Sequence, residues 1–259
     1  MRIATWNVNS IRARLDRALA WVDQQQPDVL CLQEIKCLDD QFPREPFLDR
    51  GYHVETFGQK TYNGVAILSR SAPRRVERGL PWDQDGDARG IACEVDGVRV
   101  VNLYVVNGKE VGDPKYEHKL RWLDALQAWL RAHCDPGELL CVCGDYNIAP
   151  EDADVYDPVA WHERILCSTP ERQRYQGLLD WGLVDAFRQF DDRPGQYSWW
   201  DMRTRGFERG QGLRIDHLLL TQGLLEAAQG VEIDVAERAL EHETCKPSDH
   251  APVLLDLED

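Results

Sequence analysis

Short apolar runs that end in a polar or acidic residue recur along this chain, and amphipathic stretches separate them. The first run stops at Asn7. Beyond it Ile11, Leu15, Leu19 and Val22 recur at helical spacing until Pro27-Asp28 breaks the pattern. Val29-Leu30-Cys31-Leu32 has no polar face, as a strand covered on both sides requires, and it ends in Gln33-Glu34. Gly64-Val65-Ala66-Ile67-Leu68 and the run from Val98 to Tyr104 read as further strands, the second entered through an Asp96-Gly97 turn. Leu120, Leu123, Leu126 and Leu130 mark an amphipathic helix. Leu139 to Cys143 is another buried strand and runs into Gly144-Asp145-Tyr146-Asn147. A long stretch rich in tryptophan and charge follows, and Ile215 to Leu220 and Pro252 to Leu257 supply late strands.

Strands and helices interleave from end to end, with no linker, low-complexity tract or tandem repeat. The pattern predicts one α/β domain over residues 1–259. Asn7, Glu34, Asp145, Asn147 and Asp216 all stand at the ends of or inside apolar strands. Buried strands deliver side chains to a common edge with little slack, so these residues are expected to converge.

Composition changes the picture in three ways. No apolar run reaches the roughly 20 residues of a membrane span, and the N-terminus carries no secretory pattern, so no membrane and a cytoplasmic location are expected. The eight cysteines include no C-x-x-C pair, and Cys31, Cys93, Cys141 and Cys143 lie in strand-like runs; free buried thiols are expected rather than bridges or a zinc cage. The formal net charge of -15, from 45 acidic and 30 basic residues, opposes binding to a polyanion unless a basic patch and bound cations offset it locally.

The candidate chemistry is carried by oxygen and imidazole donors. Glu34 alone reads equally as a solvated loop residue. Asp145 and Asn147 alternate to one face behind Gly144, as active-site ligands or as a simple Asx turn would. Asp216 lies within an apolar strand and requires a partner, either a metal or an ion pair with Arg214 or a histidine. Ser248-Asp249-His250 heads the last strand, as a cap or as part of a site, and the absence of G-x-S-x-G argues against a serine hydrolase. Together these groups suit a hard cation such as magnesium better than zinc.

Several segments now carry a specific resemblance: Trp6-Asn7-Val8-Asn9-Ser10-Ile11-Arg12, Leu32-Gln33-Glu34-Ile35-Lys36, Tyr62-Asn63-Gly64-Val65-Ala66-Ile67 and Gly144-Asp145-Tyr146-Asn147-Ile148-Ala149-Pro150. With Tyr197-Ser198-Trp199-Trp200-Asp201, Gly212-Leu213-Arg214-Ile215-Asp216-His217 and Ser248-Asp249-His250-Ala251-Pro252-Val253 they resemble, in order, the signatures of the exonuclease III and AP endonuclease family. The resemblance implies a DNase I-like four-layer α/β sandwich, two mixed sheets flanked by helices. It implies Glu34 as main metal ligand, Asn7 beside it, Asp249 at a metal position or acting through water, and Asp145, Asn147 and His250 also at the metal edge. Asp216 would orient His250 at the scissile phosphate, Asp145 would handle the proton of the attacking water or leaving oxygen, and Asn147 and Tyr104 would donate to the phosphate. The implied cofactor is Mg2+, with Mn2+ as a substitute.

The same resemblance assigns substrate contacts to Asn9, Asn63, Lys109, Trp199, Arg203, Leu213 and Ile215, with Trp199, Leu213 and Ile215 around a pocket for a flipped-out abasic sugar. Arg203, Arg205, Arg209 and Arg214 among Trp199, Trp200 and Phe207, and Lys109, Lys115 and Lys119 after Tyr104, are read as the local basic surface. The expected partner is double-stranded DNA with abasic sites, nicks or recessed 3′ ends, bound by a monomer. Val106 replaces a proline common in the family, Tyr146 a Phe or Met, and Met202 a Tyr, none of them a catalytic group. Alternatives are a non-catalytic RNA-binding regulator on the same scaffold, which the full set of polar site residues opposes, and a phosphodiesterase acting on inositol phosphates or lipids.

Overall fold

Along the strand Leu140–Asp145 the side chains alternate between two different cores. Leu140 and Val142 pack among helices, whereas Cys141 and Cys143 pack against a second sheet. This period of two, with both faces covered, is why the strand reads as a continuous apolar run. The chain's computed structural model describes residues 1–80, 86–239 and 245–258.

The first half of the chain forms β1 (Arg2–Asn7), β2 (Val29–Gln33), β3 (His53–Phe57), β4 (Val65–Ser69), β5 (Arg74–Arg78), β6 (Gly90–Val95) and β7 (Val98–Tyr104). The second half adds β8 (Leu140–Asp145), β9 (Leu183–Asp185), β10 (Trp199–Trp200), β11 (Gly212–Leu213), β12 (Asp216–Thr221), β13 (Ala228–Ile233) and β14 (Val253–Leu257). Two mixed six-stranded sheets result, in the orders β13-β14-β1-β2-β4-β3 and β5-β6-β7-β8-β12-β9, with β10 and β11 as a separate pair. β1 and β2 run parallel, as do β7 and β8; the other pairings are antiparallel.

A core of Ile3, Val29, Cys31, Val100, Cys141, Cys143, Leu218 and Val253 fills the space between the sheets. The helix Leu15–Gln25 lays Ala18, Trp21 and Val22 on the outside of the first sheet. The helices Pro114–His133 and Thr169–Trp181 cover the second with Trp122, Leu126, Tyr175 and Leu178. These are the four layers that the resemblance implied. All eight cysteines are free thiols, and Cys31, Cys93, Cys141 and Cys143 are buried. No helix among the described residues is long and apolar enough to cross a membrane.

The edge strands β3, β5, β9 and β13 carry little apolar signal of their own. β5, Arg-Arg-Val-Glu-Arg, is exposed at every position but Val76, and only its pairing with β6 makes it a strand.

The inner faces turn polar toward one end. Gln33 Nε2 donates to Thr5 Oγ1 at 2.9 Å and across the gap to Asn102 Oδ1 at 2.7 Å. Asn102 Nδ2 donates back to the Leu32 and Ala66 carbonyls at 3.0 and 2.8 Å. One rung further on, the inward positions are Asn7 on β1, Tyr104 on β7, Asp145 on β8 and Asp216 on β12; Asp145 is directly opposite both Tyr104 and Asp216. Gly144 permits this register: at φ 137° it lies so close to β7 that an added Cβ would sit 1.9 Å from the Leu103 carbonyl oxygen.

Candidate active site

Each residue of this polar end is held by another. Asn7 is fully buried and its Nδ2 donates to Glu34 Oε1 at 2.8 Å and to Asp145 Oδ2 at 2.9 Å. Its Oδ1 accepts the Asn9 backbone N–H. Asn9 Nδ2 donates to Asp249 Oδ1 at 2.8 Å, and Trp199 Nε1 donates to Asp249 Oδ2 at 3.1 Å. Lys36 Nζ lies 2.7 Å from Glu34 Oε2 and 2.6 Å from Asn9 Oδ1. Glu34 and Asn147 sit just past their strands with φ 50° and 51°, a left-handed turn that swings each side chain back over the strand end.

His250 is held from one side by Asp216, whose Oδ2 is 2.9 Å from Nδ1, while Nε2 faces Asp145 Oδ2 at 3.8 Å. Ser198 Oγ donates to Asp216 Oδ2 at 2.6 Å and accepts the backbone N–H groups of Ile215 and Asp216. Glu34, Asp145 and His250 each offer a ligand atom within 4.8 Å of the others.

The electrostatics divide two roles. Burial opposes charge on the His250 imidazole, but Asp216, Asp145 and Asp249 outweigh it and raise its pKa to about 10. Burial pushes the Asp145 carboxyl up, as do Asp216 and Glu34, against the pull of His250 and Asn7, leaving it at about 7. Burial likewise raises the Tyr104 phenol well above its ordinary value, with Glu34 and Asp145 adding to it. Burial works against ionised Asp249, yet His250, Asn9 and Trp199 hold its carboxyl below the usual range. A cationic imidazole and a neutral phenol therefore flank a carboxylate poised near neutrality at one edge of the sheets.

Residues 4–250 match the model of the Endonuclease/Exonuclease/phosphatase family. The chain belongs to that family. It is 37% identical over 266 residues to exodeoxyribonuclease III of Haemophilus influenzae, covering 98% of both chains. Among solved structures it is similar to a 3′ phosphatase from Neisseria bound to a product DNA hairpin, at 45% identity and a TM-score of 0.95 over the whole of both chains. It is also similar to an AP endonuclease from Archaeoglobus fulgidus, at 36% identity, a TM-score of 0.95 and full coverage of both chains. Nothing in these likenesses favours an RNA-binding regulator.

Of the residues expected at the site from the family resemblance, Asn7, Asn9, Glu34, Asp145, Asp216, Asp249, His250 and Trp199 form one connected set. Asn147 is tied to Asp145 Oδ1 through its backbone N–H. Its amide is engaged on both sides, by the Val105 carbonyl and by Asn107 Nδ2. Asn63 and Lys109 line a groove of about 410 Å³ with Tyr104 and Arg89. Trp199, Leu213 and Ile215 belong to one apolar cluster with Leu166 and Cys167, but Leu213 and Ile215 are fully buried, and of the three only Trp199 reaches solvent. The Arg203 side chain is 94% exposed. Val106 is buried in the outer core, Tyr146 buries its hydroxyl on the Val142 carbonyl, and Met202 is exposed.

Two members of the expected basic surface are not on a surface. Lys119 is fully buried and paired with Glu171. Arg214 is 1% exposed and pairs with Asp154 and Asp185 while touching His217 Nδ1 at 3.0 Å. Of the partners open to Asp216, Arg214 is taken by Asp154 and Asp185, and the histidine is His250. Ser198, Asn107 and Lys36 were assigned no role from sequence. Ser198 and Asn107 carry no local signal, and Lys36 shows only as a basic residue two positions after Glu34.

The Arg214 cluster contains an acid-sensitive group. Burial and the Arg214 charge lower the His217 pKa to about 4, so the native state keeps it neutral while the unfolded chain takes up a proton below about 6.5. The His217 contribution to stability is expected to be complete above pH 6.5 and to fall by on the order of 3 kcal/mol as pH drops toward 4, while Asp145, raised to about 7, acts in the opposite direction over the same range. Urea midpoints of wild type and His217→Gln between pH 4 and 7.5 test this: the variant should gain on the wild type as pH falls below 6.5, and a gap that does not change with pH would assign the effect elsewhere.

Proposed function

We propose that this chain is a DNA-repair phosphodiesterase of exonuclease III type, acting on double-stranded DNA as a 3′-5′ exonuclease and as an endonuclease at abasic sites. The observation that carries the reading is His250, held as an imidazolium by Asp216, facing the poised Asp145 beside Glu34. The partners are duplexes with abasic sites, nicks or recessed 3′ ends, bound by a cytoplasmic monomer in which residues 1–259 act as one catalytic domain.

A phosphodiester repels nucleophiles through its own charge, so hydrolysis needs neutralisation, a positioned water and a stabilised leaving oxygen. Protonated His250 donates from Nε2 to a phosphate oxygen, while Nδ1 stays on Asp216. Asp145 takes the proton of the attacking water or returns one to the departing 3′ oxygen. Tyr104, kept neutral, donates to the same phosphate, with Asn147 beside it. In its imidazolium form His250 serves the phosphate, and only the neutral ring offers Nε2 to a cation beside Glu34 and Asp145.

The donor set fits a hard cation: Glu34 presents a partly exposed carboxylate, and the ammonium of Lys36 already occupies its outer side as a stand-in positive charge. Glu34 would be the ligand, oriented by Asn7, and Asp249 would be available through water. A magnesium ion held by these residues would supply charge neutralisation at the phosphate. An abasic duplex and a recessed-3′ duplex, each with Mg2+ and with chelator, test the proposal. Product is expected only with metal; equal product in chelator defeats the metal assignment, and cleavage of neither duplex defeats the nuclease.

A further inference from the structure

We infer that the buried ion pair Lys119–Glu171 is a positioning device for the catalytic edge, resting on the nuclease reading above. Lys119 projects from the helix Pro114–His133, and all three ammonium protons are used. One goes to the Asn147 carbonyl at 2.6 Å, one to the Asn107 carbonyl at 3.2 Å, and one to Glu171. The side chains of Asn107 and Asn147 are themselves bonded, Nδ2 to Oδ1, at 2.8 Å. Lys119 thus clamps the backbones of two loops whose amides meet at the phosphate side of the site.

Glu171 extends the clamp. It stands in the first turn of the helix Thr169–Trp181, where Oε2 accepts the Ser168 N–H at 3.1 Å and the Ser168 hydroxyl at 2.7 Å. Oε1 accepts the Leu166 N–H at 3.1 Å. Leu166 belongs to the apolar cluster under Trp199. Asn147 and Leu166 both hold left-handed backbone, with φ 51° and 72°, conformations that non-glycine residues keep only when fastened. One buried pair therefore sets the distance between the loops that carry Asn107 and Asn147, the latter fastened to Asp145, and the apolar wall beneath Trp199. A misplacement of about 1 Å at such a site costs up to about 10²-fold in rate.

The test is the double variant Lys119→Met/Glu171→Gln, because Lys119→Met alone strands a buried carboxylate. Leu126→Ala, from the same helix and fully buried, serves as a control that loosens packing without touching the loops. On a recessed-3′ duplex with Mg2+, below the melting temperature of each protein, the double variant is expected to lose roughly 10-fold or more in kcat with KM nearly unchanged. The side-chain amide resonances of Asn107 and Asn147 should shift with it. Leu126→Ala should lower Tm and keep kcat. Wild-type kcat and unmoved amide resonances in the double variant would overturn the inference. Should the wild-type protein cleave no DNA at all, the nuclease reading fails, and the amide resonances by themselves decide whether the pair positions the loops.

Discussion

Asp145→Asn is expected to cut DNA hydrolysis by at least 10²-fold while leaving the fold and duplex affinity intact. The substitution is isosteric and keeps an oxygen for the Asn147 N–H, while it removes the carboxylate charge and the acceptor that faces Asn7 Nδ2 and His250 Nε2. Losing one well-placed group of this kind typically costs about 10²–10³ in kcat. His250→Gln should fall as far, since it removes the cation that Asp216 and Asp145 hold in place. Retention of a tenth or more of wild-type activity by both variants would sink the assignment. The wild-type pH profile then separates the two roles open to Asp145. With its pKa raised to about 7 by burial and by Asp216 and Glu34, an activity that climbs with pH through that region marks a proton acceptor. An activity that declines there marks a donor. A cation bound at Glu34 would draw the inflection lower, so the limb should move with metal concentration.

The second large effect is structural. Arg214→Met should destabilise the protein by about 3–5 kcal/mol, because it leaves Asp154 and Asp185 as buried carboxylates without their shared cation. For a chain of this size that is a fall in Tm of roughly 10 °C. Arg203→Ala provides the contrast. Its side chain is almost wholly exposed, so Tm should not move, while duplex affinity weakens and the slope of binding against log salt becomes shallower. Calorimetry on the two variants, with binding titrations at two or more salt concentrations, tests both. If Arg214→Met keeps its Tm and loses only affinity, the buried cluster has been misjudged.

These two arginines show where reading along the chain stops. Both fall in one aromatic, basic stretch, and nothing local separates them. Arg214 is drawn inward by Asp154, sixty positions earlier, and by Asp185 on β9. Lys119 is the same case, in a helix whose leucines were legible but whose one buried lysine was not. Edge strands such as β5 were missed for a related reason, since pairing with a neighbour supplies what their composition lacks.

The inner strands, their covering helices and the polar residue at each strand end are legible along the chain, because burial on both faces and helical periodicity are written into nearest neighbours. Its motifs also named nearly every group of the candidate site. Which carboxylate faces which cation is settled by folding alone: Asp216 with His250, Asp154 and Asp185 with Arg214, Glu171 with Lys119. Pairings of that kind depend on sheet register and on the desolvation of charges far apart in the chain, and both arise only when the two sheets close on each other.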